Sequence, residues 1–128
     1  MGGLKTFRTL VLALILPAAA PACAGEPLEM LRVFADCTGR YTAVTEHLWL
    51  FDGAASEDTA ARRNQFADLV EAVAPDADVP ASTILGWRIA ARAAQGALLA
   101  AATFRHDARA GAVARAFITR CDRLLPGA

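Results

Sequence analysis

The chain has 128 residues, enough for one ordinary domain, and its 13 Lys and Arg balance 13 Asp and Glu. The balance hides a split: Lys5 and Arg8 stand at the front, every acid lies at Glu26 or beyond, and residues 25–128 carry 11 Arg, no Lys and 13 acids, a net charge near −2. That distribution excludes a nucleic-acid footprint and a polybasic membrane patch.

The front end has the three-part pattern of a signal peptide. Met1–Leu10 hold Lys5, Arg8 and no acid; Leu10–Leu16 are uninterruptedly apolar; Pro17 and an alanine-rich stretch lead to Ala22-Cys23-Ala24. The apolar run is far short of the ~20 residues a membrane span needs, so cleavage after Ala24 is expected, with residues 1–24 removed and 25–128 forming the domain. A lipoprotein signal also ends at a cysteine, but Ala20-Pro21-Ala22 before Cys23 is a poor match to one. Membrane attachment therefore requires either lipidation of Cys23 or an uncleaved signal. Losing Cys23 leaves an even pair, Cys37 and Cys121, which in an exported protein reads as a disulfide. Its long loop allows roughly 4–5 kcal/mol in the chain-entropy picture. The expected location is the periplasm or the medium of a Gram-negative bacterium, and the layout is similar to that of many small exported helical proteins of such bacteria. No motif is specific enough to name a family.

The remainder has helical periodicity throughout and no alternating strand pattern. The first helix is expected over about 27–51, with Pro27 at its first turn and Phe34, Cys37, Tyr41, Val44, Leu48 and Phe51 as an apolar seam. Arg32, Asp36, Arg40 and Glu46 fall off that seam and are expected to face water. Asp52-Gly53 stops it. The second is expected over about 57–74, capped by Ser56, with Phe66, Leu69, Val70 and Val73 facing inward; Pro75–Pro80 reads as a linker. The third, about 81–104, is the most apolar. Its only charges before the end are Arg88 and Arg92, one turn apart, which argue for a bundle helix rather than a membrane span. Its alanines and Gly96 suggest close helix approach. The fourth, about 108–125, is capped by Asp107 and repeats Ala110, Ala114, Phe117, Cys121 and Leu124 on one side.

Four such helices with short connections predict an all-α, antiparallel up-and-down four-helix bundle. The cysteines test the register. Cys37 lies nearly three turns into the first helix and Cys121 about one turn from the end of the fourth. Either the fourth helix stops short of the first helix's start, or the seams are offset by ~9 Å at 1.5 Å per residue.

No catalytic, cofactor or metal residues emerge. Cys121 is followed by Asp122-Arg123 rather than a second cysteine and histidine, so covalent haem attachment is excluded. Met30 and His106 would sit at opposite ends of a bundle, ~25–30 Å apart, too far for non-covalent haem. The His-x-x-x-His and Glu-x-x-His pairs of metal-binding bundles are missing, as are Gly-x-Ser-x-Gly and phosphate loops. Two features stand out as a candidate partner-binding surface. Leu48-Trp49-Leu50-Phe51 is apolar all round the end of the first helix, beside His47, and the segment Asp52–Ser56 is expected to fold over Trp49 unless Trp49 is a contact residue. Arg88 and Arg92 are expected to pair with surface acids, or else to form an anion-binding stripe. The leading expectation is a non-enzymatic binding or accessory protein of the envelope; the alternative is a periplasmic carrier of a small ligand, metal or haem in the bundle core.

Overall fold

The computed structural model describes residues 25–127, which form four helices: α1 Gly25–Leu48, α2 Gly53–Ala77, α3 Ala81–Phe104 and α4 Ala108–Asp122. No strand occurs among the described residues. The expected signal peptide and Cys23 lie outside them.

Local chemistry sets the helix ends. The chain leaves α1 through a tight turn in which Phe51 N–H reaches Leu48 O (2.9 Å), and Asp52, in extended conformation, accepts from Ala55 N–H (3.1 Å). Asp52 is thus the N-cap of α2, and the expected Ser56 cap is corrected: Ser56 is inside the helix, buried, and bonds back to Gly53 O. A carboxylate in extended backbone caps better than a serine already committed to helix. At its other end α2 runs through Pro75, so the linker shrinks to Asp78–Pro80. Glu71 and Pro75 are both exposed, so the carbonyl that Pro75 cannot bond is left to water. Asp107 caps α4 through Ala110 N–H (3.0 Å), as expected.

Residue pairs give the register. Thr45 meets Thr59, and Tyr41 and Phe34 meet Phe66, so α2 runs antiparallel to α1. Arg40 meets Gln95 and His47 meets Thr103, so α3 runs parallel to α1. Gln95 meets Ala114, and Cys37 is bonded to Cys121 with Cα atoms 5.7 Å apart, so α4 runs against both. Of the two registers allowed by the cysteines, α4 takes the first: it ends at Asp122, one residue past Cys121, alongside the middle of α1.

α1 is the central helix, packed along α2 on one side and α3 on the other; α4 lies on α3 and meets α1 around the disulfide, and the α2 and α3 backbones do not approach each other. Residues Cys37 to Tyr41 are therefore buried consecutively, which an amphipathic surface helix cannot do. The expectation that Arg40 faces water fails for this reason: it is only 7% exposed. Gly39 is what lets α3 in. A Cβ there would overlap the Arg88 carbonyl and lie 2.9 Å from Ala91 Cβ. Gly96, expected in that role, has open space where its Cβ would be.

The core has two parts. Cys37, Tyr41, Phe66, Cys121 and Leu125 form one, with the Phe66 ring 6.3 Å from that of Phe34 and 5.9 Å from that of Tyr41. Leu31, Ala35 and Val70 form the other, flanked by Val73, Ile84 and Trp87. Leu125 replaces Leu124 in the core because the helical phase is lost after Asp122; Leu124 is exposed.

Candidate functional site

The turn after α1 is the most apolar exposed point of the described surface. Trp49 is 64% exposed, Leu50 70% and Phe51 59%. The expected cover from Asp52–Ser56 does not form, since α2 starts at Gly53 and draws those residues away into its first turn. Just inside the turn, half-buried His47 ties α1 to α3 through a hydrogen bond between Nε2 and Thr103 Oγ1 (3.1 Å), and its ring lies 5.1 Å from that of Phe51. A shallow groove of about 440 Å³ runs from here between α1 and α3, lined by Glu46, His47, Leu50, Ile89, Arg92 and Gly96 among others.

The four surface residues singled out in the sequence part company. His47 and Arg92 line this groove, and Trp49 lies beside it on the turn. Arg92 pairs with Glu46 across α1 and α3 (2.7 Å), both side chains substantially exposed. Such a pair contributes little, at most ~1 kcal/mol. Arg88 is outside the groove. Its side chain has no ion-pair partner among the described residues, and its carbonyl forms the contact surface for Gly39.

α3 carries the apolar surface onward. The most apolar of the helices, it buries only Ala91, Gln95 and Ala101, while Leu85 and Ile89 are more than half exposed and Phe104 is 64% exposed at its end. Exposed apolar area of this extent on one element points to a contact surface.

A second concavity, on the other flank of α3, was missed by sequence reasoning. It has a volume of about 510 Å³ and lies between α1, α3 and α4. Behind it runs a buried polar network. Arg40 donates through Nε to Asp36 (2.7 Å) and through Nη1 to Gln95 (3.0 Å), its guanidinium carbon lies 3.5 Å from the Phe117 ring centre, and Gln95 donates to Ala114 O (3.2 Å). The available signal was Gln95, an uncharged amide midway along the most apolar of the helices.

Beside the disulfide, Tyr41 donates to the Asp122 carboxylate, which also accepts from Arg62 (2.9 Å). Burial, reinforced by that carboxylate, pushes the Tyr41 hydroxyl far above its ordinary range and keeps it protonated. Cys37 and Cys121 are joined and therefore supply neither a thiolate nucleophile nor a thiolate metal ligand. Among the described residues no three His, Cys, Asp or Glu side chains gather as a metal site would require. Compared with protein families, curated proteins and solved structures, the chain matches none.

Proposed function

We propose that this is an exported, non-enzymatic binding protein of the bacterial envelope, which docks a protein partner on the apolar surface at the Trp49 turn and along the outer side of α3. The observation that carries the reading is the exposure of three consecutive large apolar residues, Trp49, Leu50 and Phe51, at a turn. Aromatic side chains so placed are the usual anchors of protein interfaces. Export is supported by the charged and apolar pattern before Ala24 and by the Cys37–Cys121 disulfide, a bond that persists in oxidising compartments. The four helices alternate in direction along the chain, a reading supported by the register of the Thr45–Thr59, Arg40–Gln95 and Gln95–Ala114 pairs, but the ring of antiparallel neighbours expected of an up-and-down bundle gives way to a central α1 that packs along its parallel neighbour α3.

The test is site-specific photo-crosslinking in cells, with the reactive side chain at position 50 and, as a control, at exposed position 72 on α2. A discrete adduct at 50, missing at 72 and lost when Trp49→Glu is added, supports the reading. An adduct of twice the protein's mass would identify the partner as a second copy. Equal adducts at both positions, or none at 50, would sink it. The alternative of a ligand in the bundle axis is poorly supported, since Leu31, Tyr41, Phe66 and Gln95 fill that space.

A further inference from the structure

We propose that the groove between α1, α3 and α4 is a binding site for a small carboxylate with a flat aromatic body. This site is separate from the apolar surface described above and does not depend on it. Its floor is an alanine shelf on α3, formed by Ala90, Ala91 and Ala94, where no side chain rises above a methyl group. Half-buried Trp87 and Phe117 flank it. A flat apolar body laid on those alanines buries one face against them, with the Trp87 and Phe117 side chains at its sides. The 510 Å³ volume falls within the ~300–1,000 Å³ range of small-molecule sites.

The charge at the site favours an anion. Three arginines line it, Arg32, Arg40 and Arg120, against Glu29 and Asp36. Asp36 is occupied by Arg40 Nε at 2.7 Å. Neither Arg32 nor Arg120 has a carboxylate partner among the described residues; each lies near a wall ring instead, Arg32 5.7 Å from Trp87 and Arg120 5.9 Å from Phe117. The local balance is positive in a domain whose balance is negative.

Arg40 supplies the built element. The residue is only 7% exposed, and Asp36, Gln95 and the face of Phe117 hold its guanidinium in place. Its Nη2 has no hydrogen-bond partner in the protein, yet no fully buried side-chain nitrogen is left unsatisfied among the described residues. Nη2 therefore keeps some solvent access, on a residue that lines the groove and whose guanidinium is oriented before any ligand arrives. Charge-assisted bonds from a pre-oriented guanidinium to a carboxylate are among the stronger polar contacts.

The experiment is titration of the purified protein with benzoate, naphthoate and indoleacetate, and with neutral naphthamide, read by calorimetry and by amide chemical shifts. At least one acid should saturate, with shifts centred on Arg40, Ala90, Ala94 and Arg120, and naphthamide should bind about tenfold more weakly or worse. Joint Arg32→Gln and Arg120→Gln, both at exposed positions, should weaken the acid about tenfold or more while the melting temperature moves by only a few degrees. Ala94→Phe, which fills the shelf, should abolish binding. The proposal is overturned if none of the three acids saturates at millimolar concentration, if acid and amide bind alike, or if the shifts gather around Trp49.

Discussion

Arg40 shows how much one residue's environment depends on what the fold brings to it. Its spacing from Asp36 marks an ordinary surface ion pair on a helix, yet α3 and α4 close over it and supply Gln95 and Phe117. Arg40→Met strips Gln95 of its buried donor and is expected to lower stability by about 2–4 kcal/mol. Arg92→Ala, at an exposed pair, is expected to cost under ~1 kcal/mol. Urea unfolding of the two variants, side by side, decides whether burial sets the difference; equal losses would contradict the packing described. Tyr41 makes a pH prediction. The unfolded tyrosine ionises near pH 10, whereas in the folded state burial and the Asp122 carboxylate hold the proton on. Above that pH the native state binds more protons than the unfolded one, so stability is fully present below about pH 10 and falls as pH rises further. Urea midpoints at about pH 8 and about pH 10.5 should drop in the native sequence and drop less in Tyr41→Phe; parallel drops would remove Tyr41 as the cause.

At the scale of elements, two glycines in helices behave oppositely. Intrinsic propensity favours alanine over glycine in a helix by ~1 kcal/mol, and Gly96→Ala, with open space around the new methyl, is expected to gain roughly 0.5–1 kcal/mol. Gly39→Ala puts a methyl into the Arg88 carbonyl and must push α1 from α3, at a cost of about 2 kcal/mol or more. Thermal melts of the pair should shift in opposite directions; a stabilised Gly39→Ala would show that α1 and α3 do not meet there. The helix ends teach a similar lesson. The capping aspartate at 107 and the apolar repeats of all four helices are local signals, readable in order along the chain, whereas Asp52 reads first as a helix stop and proves to be the cap of α2. The early start of α2 followed from choosing between Asp52 and Ser56 as cap, and it decided whether Trp49 would be covered. Trp49 is bare because the residues expected to cover it belong to a helix that leads away.

For the whole molecule, the disulfide joins residues 84 apart and ties α4 to the centre of α1, where direct helix contact is otherwise short. The chain-entropy picture sets an upper figure near ~4–5 kcal/mol for such a loop. Joint Cys37→Ala and Cys121→Ala is therefore expected to lower the melting temperature by about 10 °C or more, as is reduction of the native protein, measured by circular dichroism. A shift of only a degree or two would mean that α4 is held by packing on α3 alone.

Helix number, helix type, the cysteine pair and the charge split were legible because each rests on neighbours in sequence: periodicity, caps, and a parity of two. Which helix lies at the centre was not. Sequence periodicity reports one apolar face per helix, and α1 has such a face, but Gly39 and the small residues around it admit a second helix against a side that reads as polar. That single close approach buries Arg40, leaves Arg88 serving through its carbonyl, and turns most of the apolar surface of α3 outward. Because α4 lies on α3 and meets α1 only around the disulfide, a groove stays open between the three helices. Contacts between residues 55 or more apart in the chain, such as Arg40 with Gln95, depend on how helices share space, and only the tertiary structure decides that.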